Sequence, residues 1–134
     1  MSSLVPYEEW VKMGQHIALK DGKVFYVRKG RGIPLIMTHS YGGNSWWFCK
    51  IMDGFAEHFN VYALDLPGSA QSDTPTLQYG PEGYADVLEE FMDTLGIQKA
   101  HLLSNLGSGF SVAYFAITRP ERVDKLVLDC MPYW

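Results

Sequence analysis

Short, unbroken apolar runs recur along the chain. Pro34-Leu35-Ile36-Met37-Thr38, Val61-Tyr62-Ala63-Leu64-Asp65, Ala100-His101-Leu102-Leu103-Ser104 and Leu126-Val127-Leu128-Asp129 have no polar alternation. Such runs predict strands buried on both faces. An earlier segment has a different character. Lys23 to Arg28 is rich in β-branched and aromatic residues and follows Asp21-Gly22, so it predicts a hairpin with Ile17-Ala18-Leu19. Gly30-Arg31-Gly32 ends it.

Helix-length segments separate the runs. Asn44 to His58 opens on cap-competent Asn44 or Ser45. Pro81 to Leu95 carries Tyr84, Val87, Leu88, Phe91, Met92 and Leu95 at spacings of three and four, which puts them on one helix face. Gly96 follows where a C-terminal cap glycine belongs. Gly107 to Thr118 is apolar almost all round, which predicts a helix buried at the centre of the domain, and Arg119-Pro120 stops it. No repeat or low-complexity tract interrupts the pattern. Buried strands alternating with helices predict one α/β domain over residues 1–134, with a mostly parallel sheet, flanking helices and right-handed crossovers.

Composition narrows the function classes. With 134 residues, 47% apolar and 19% charged, the chain is globular and long enough for a sizeable core. Its 11 basic and 15 acidic residues give a net charge of −4, so no electrostatic footprint for nucleic acid or an anionic membrane is expected. Pro, Gly and polar residues break the longest uncharged stretches, so no membrane-spanning helix is expected. The first residues, Met1 to Gly14, lack a basic segment followed by an apolar run, so a secretory signal is not expected. Cys49 and Cys130 are too few for a disulfide framework and lack metal-ligand spacing. Reduced thiols, a cytoplasmic location, no metal and no cofactor are the corresponding expectations.

In open α/β sheets, ligands bind beyond the carboxyl ends of the strands. The loops leaving the strands therefore matter most. Thr38-His39-Ser40-Tyr41-Gly42-Gly43 resembles the oxyanion-loop motif H-G-x-x-G of the α/β-hydrolase fold. Asp65-Leu66-Pro67-Gly68-Ser69-Ala70-Gln71-Ser72-Asp73 resembles that family's D-x-P-G-x-G-x-S-D stretch. Pro120-Glu121-Arg122-Val123-Asp124-Lys125-Leu126-Val127-Leu128 is similar to the P-E-R-V-x-x-L-V-L segment that leads into its sixth strand. The motifs run in family order from about Val24 to the C-terminus, so the resemblance implies the front part of that fold.

The departures from the family pattern bear on function. The family's nucleophile elbow is G-x-S-x-G, a strained strand-to-helix turn that lifts a serine above the sheet. Aligned through His101-Leu102-Leu103 and Gly109-Phe110-Ser111-Val112-Ala113, the elbow falls on Ser104-Asn105-Leu106-Gly107-Ser108. Leu106 stands at the nucleophile position, and a leucine has no lone pair with which to form a covalent intermediate. Ser104 and Ser108 occupy the glycine positions. A register slipped by two would make Ser108 the nucleophile, with neither elbow glycine in place. Otherwise Ser108 bonds its own backbone at a helix start.

The resemblance places the acid and the histidine after the nucleophile, whereas His16, His39, His58 and His101 all precede the elbow. It implies a structural role for His39. His101, inside a strand, is expected to be a satisfied core residue. Asp129 and Cys130 stand near where some dehalogenase-like members carry their acid, and Asp129 otherwise ends a strand. The backbone N–H groups of Tyr41 and Gly107 are the implied oxyanion hole. His39, Ser40, Trp46, Trp47 and Asn105 are the implied pocket, although Trp46, Trp47 and Phe48 can equally be core contacts of the first helix. The resemblance thus implies the front portion of a small-molecule hydrolase (ester, epoxide, haloalkane or carbon–carbon bond) that lacks a working triad as the chain stands. The alternative is a non-catalytic binding or scaffold protein on the same fold. Lys125 to Asp129 is expected at a sheet edge, paired with a second copy of the chain or with another chain carrying further strands.

Overall fold

The computed structural model describes residues 4–76 and 78–130. A short helix α1 (Tyr7–Met13) precedes the hairpin β1 (Gln15–Leu19) and β2 (Gly22–Gly30). Then follow β3 (Pro34–Thr38), α2 (Met52–Ala56), β4 (Asn60–Leu64), α3 (Pro81–Thr94), β5 (Ala100–Asn105), α4 (Gly109–Thr118) and β6 (Val123–Asp129). The sheet order is β1-β2-β4-β3-β5-β6. β1 and β2 run antiparallel to their neighbours, and β3, β4, β5 and β6 are mutually parallel.

Strand alternation splits the core into two layers. Val24, Tyr26, Ile36, Tyr62, Leu64 and Leu102 point to the face covered by α3 and α4, where they meet Phe91 and Phe115. Phe25, Val27, Leu35, Met37, Val61 and Ala63 point to the opposite face and meet Trp10, Phe48 and Met52. Both faces of the central strands are therefore apolar, which is why β3 and β4 read as unbroken runs. Phe91 and Phe115 are fully buried. Each contributes about 1.5–3 kcal/mol through removal of its ring from water.

α3 matches its apolar stripe, with Pro81 in its first turn and Gly96 beyond its end at φ 70°, a backbone state glycine adopts without a Cβ penalty. Two expectations need correction, and one helix had not been expected. The segment from Asn44 to His58 is not one helix. It divides into a 3-10 turn (Ser45–Phe48) and the five-residue α2. Trp46, Trp47 and Phe48 are consecutive and cannot share one helical face. Phe48 enters the core, Trp46 is half-buried and Trp47 stays half exposed. Asn44 still caps the turn, its side chain accepting from the Trp46 N–H at 3.0 Å. α4 starts at Gly109, after a 3-10 turn over Leu106–Ser108, and is not buried all round. Gly109, Ser111, Val112 and Phe115 face inward, whereas Ile117 is 79% exposed. α1 had no counterpart in the sequence pattern. Its signal is Pro6 ahead of Glu8 and Glu9 in the first turn, with Lys12 in the last.

Candidate functional site

β5 leads directly into the elbow. Leu106 has φ 52°, one of three non-glycine residues at positive φ among the described residues. A branched side chain there is strained. The backbone thus makes the sharp strand-to-helix turn at residue 106 itself, with α4 following after Gly107 and Ser108. The sharp turn therefore falls on Leu106, the residue aligned above with the nucleophile position.

The neighbouring glycine positions carry buried serines. Ser108 is 1% exposed. Its Oγ lies 3.0 Å from Thr38 Oγ1 and within reach of the Thr38 and Asn105 carbonyls, at 3.1 and 3.2 Å. These partners are neutral and cannot take its proton, so this hydroxyl ties β3 to the start of α4. Ser104 is fully buried and its Oγ has no partner.

The loop after β3 lies against the elbow. A Cβ at Gly107 would stand 2.7 Å from Tyr41 Cδ2, so only glycine admits the Tyr41 ring there. The Tyr41 hydroxyl pairs with Ser111 Oγ at 2.9 Å, and its ring lies 5.4 Å from that of Tyr84. Tyr41 and Gly107 are therefore adjacent at the carboxyl edge of the sheet, as loops leaving neighbouring strands require.

His39 and Asp65 fix this loop from below. His39 is fully buried. Its Nδ1–H donates to the Ser40 carbonyl at 2.7 Å, and its Nε2 accepts from the Leu66 N–H at 2.9 Å. That pairing requires the neutral imidazole. Burial pushes His39 below the ordinary histidine range, against the opposing pull of the Ser40 carbonyl and the Asp65 charge. Asp65, also buried, accepts from the Ser45 N–H at 2.8 Å and the Gln71 N–H at 3.0 Å. The Asp65 carbonyl accepts from Ser72 Oγ, which in turn accepts from the Phe25 N–H. One carboxylate thus joins the loop after β3 to the loop after β4.

The residues expected to form one pocket separate. His39 lies beneath the surface and Ser40 is half-buried, with its carbonyl engaged by His39. Trp46 turns away, its indole N–H donating to the Val5 carbonyl at 2.7 Å. Trp47 and Asn105 line a groove on the other side of the elbow, about 380 Å³ in volume, with Ile51, Val127 and Asp129. There Asn105 Nδ2 donates to Asp129 at 2.8 Å. Trp46 and Trp47 are consecutive in the 3-10 turn after Asn44, which turns their rings in different directions. His101 also differs from expectation. It packs edge-on against Phe59, but its Nδ1 lacks a hydrogen bond and lies 3.7 Å from Asp124.

A larger cleft of about 590 Å³ opens on the Tyr41 side, walled by Tyr41, Tyr79, Tyr84, Phe110 and Pro67. Its volume is in the range of small-molecule sites. Sequence reasoning missed Tyr79, Tyr84 and Phe110. Tyr84 was legible only as a core position of α3, and Phe110 only as part of an apolar helix. Among the described residues no group of three His, Cys, Asp or Glu side chains is placed to hold a metal ion, and no helix is long and apolar enough to cross a membrane.

A parallel sheet whose strand enters a helix through a positive-φ elbow, faced by a loop from the adjacent strand, defines a hydrolase-type α/β architecture. The family described as alpha/beta hydrolase fold matches residues 33–133, and the chain belongs to it. A 2-hydroxy-6-oxononadienedioate/2-hydroxy-6-oxononatrienedioate hydrolase of Paraburkholderia phymatum is 39% identical over 112 residues, which cover 79% of this chain and 39% of that protein. A soluble epoxide hydrolase of a Corynebacterium is 29% identical over 119 residues, covering 87% of this chain and 42% of that protein. The crystal structure of a hydrolase from Pseudomonas aeruginosa superposes with a TM-score of 0.85 at 23% identity, over 90% of this chain and 47% of the other. The chain spans about two fifths of the length of the two curated relatives.

Proposed function

We propose that this chain is the front portion of a small-molecule hydrolase fold that binds its ligand without covalent catalysis at the elbow. Leu106 at φ 52° carries this reading, because the turn that presents the nucleophile is retained while the side chain on it has no nucleophilic atom. Ester, epoxide, haloalkane and carbon–carbon bond hydrolysis are the chemistries to which the scaffold relates. The relatives named above support the carbon–carbon and epoxide classes. The dioate substrates in the name of the Paraburkholderia relative are not carried over, since no Lys, Arg or His lines the described cleft. Tyr41 and Gly107 are the proposed oxyanion-site residues, and in a non-covalent site their N–H groups serve as ligand donors.

The test is covalent trapping. The 134-residue chain is incubated with a fluorophosphonate and an activated ester, and intact mass is recorded. No adduct and no multiple turnover are expected. Leu106→Ser alone gains no turnover, because His39 is committed to Ser40 and Leu66 and cannot take a proton from residue 106. Turnover abolished by Ser108→Ala would overturn the reading. The alternative reading is a non-catalytic scaffold on the same fold that associates along the β6 edge. Along that edge the proposed partner is a second copy of the chain.

A further inference from the structure

The cleft beside Tyr41 has a consistent chemistry. Tyr84 stands at its centre. Its ring lies 5.4 Å from Tyr41 and 5.5 Å from Tyr79, the latter edge-on at 84°. Phe110, from the first turn of α4, adds a fourth ring to the wall. The phenol groups of this row have protein partners. Tyr41 pairs with Ser111 at 2.9 Å, Tyr79 donates to Asp21 at 2.7 Å, and Tyr84 points to the Pro67 carbonyl at 3.5 Å. The wall therefore offers ring surface more than hydrogen bonds.

Its polar lining is uncharged: Ser69, Thr74, Thr76 and Gln78 supply hydroxyls and an amide, and among the described residues no Asp, Glu, Lys, Arg or His lines it. The phenols add no charge either. Burial and the Asp21 contact push Tyr79 up to about 12, and burial followed by the neighbouring Tyr41 raises Tyr84. The carboxylates behind the wall, Asp21 under Tyr79 and Asp73 beside Thr74, are both acidic. A ligand carboxylate would lose its water and gain no cation, which is unfavourable. A flat neutral ring would lose little and gain stacking or edge contacts with Tyr84 and its neighbours.

We propose that this cleft binds an uncharged, planar aromatic ligand, held by the Tyr41–Tyr84–Tyr79 row, and discriminates against carboxylated analogues. The inference rests on the non-covalent site described above and gives it a ligand class. Because binding and covalent labelling are measured separately, one can fail while the other stands.

The experiment is equilibrium binding to the full chain by calorimetry and by ligand-observed NMR. The probes are 1-naphthol, 1-naphthoate and 1-naphthyltrimethylammonium at pH 7. Expected is saturable 1-naphthol binding, at least about tenfold weaker binding of the naphthoate, and no preference for the cation. Tyr84→Leu weakens 1-naphthol about fivefold or more, the scale of one aromatic contact. Tyr84→Phe keeps the affinity, because the hydroxyl contact is long. Circular dichroism confirms that both variants are folded. If Tyr84→Leu does not fold, Ser69→Lys decides, since it should shift preference toward the naphthoate. Naphthoate binding as tightly as 1-naphthol, or the ammonium probe binding more tightly than 1-naphthol, would overturn the proposal. So would 1-naphthol binding that is absent or indifferent to Tyr84→Leu and Ser69→Lys.

Discussion

Leu106 is held in a backbone state that costs an ordinary L-residue roughly 1–2 kcal/mol, and its side chain is 40% exposed, so packing returns only part of that cost. Asparagine tolerates positive φ. Leu106→Asn should therefore stabilise the chain by about 0.5–1 kcal/mol, read as a higher urea midpoint with an unchanged slope. A lower midpoint would mean that Leu106 packing outweighs its strain. His39 makes a prediction of opposite character. Its folded-state affinity for a proton lies below the ordinary histidine value of about 6.5. The folded state then binds fewer protons than the unfolded one, so the stabilisation is complete above about pH 6.5 and is lost as pH falls below it toward the folded value. Histidine-selective NMR should show a neutral Nδ1–H imidazole at pH 7 that takes up its proton only below the ordinary histidine range. Titration of His39 at or above 6.5 would contradict the buried pairing with Ser40 and Leu66.

At the scale of elements, the two loops above the sheet stand or fall together, because Asp65 accepts from both Ser45 and Gln71. Asp65→Ala leaves two buried N–H groups unpaired and should cost about 2–4 kcal/mol, whereas Asp65→Asn, which retains one acceptor oxygen, should cost about half as much. Thermal melts of the two variants compare them directly, and equal losses would contradict the two-oxygen account. The role of Asp65 could not be read from the sequence, where it was only the last residue of a strand in a family-like stretch. β3, β4 and α3 were legible because period and length are local properties of the chain: Leu35, Ile36 and Met37 are buried wherever the strand lies, and Phe91 returns every turn to one face. The elbow was legible through its flanking residues. The pocket was not, since whether Trp47 and Tyr41 face the same space depends on where the 3-10 turn after Asn44 rotates each ring. The same limit hid Tyr84, whose helical position predicted burial but not its neighbours Tyr41 and Tyr79.

At the scale of the whole molecule, β6 ends the sheet in the described residues, and its exposure pattern leaves Asp124, Lys125, Leu126 and Val127 open. An edge of this kind, beside a groove holding half-exposed Trp47 and Ile51, invites pairing. A second copy related by a two-fold axis would add antiparallel to β6 and keep each face continuous, so the strand must pair about one of its own residues. Pairing about Val127 sets Lys125 opposite Asp129 twice, Val127 opposite itself and Leu126 opposite Leu128. Pairing about Leu126 would set Asp124 opposite Leu128, and pairing about Lys125 would oppose two ammonium groups. Opposite charges facing across strands contribute roughly 0.2–1 kcal/mol per pair, and like charges oppose pairing. Light scattering at micromolar concentration should therefore give about twice the 15.2 kDa chain mass. Lys125→Glu, which places two carboxylates opposite each other at both ends, should shift the protein toward monomer. Adding Asp129→Lys restores the opposite signs and should bring the dimer back. A wild-type chain that runs as a stable 15.2 kDa monomer, or a charge-reversed pair that fails to recover association, would rule out this register.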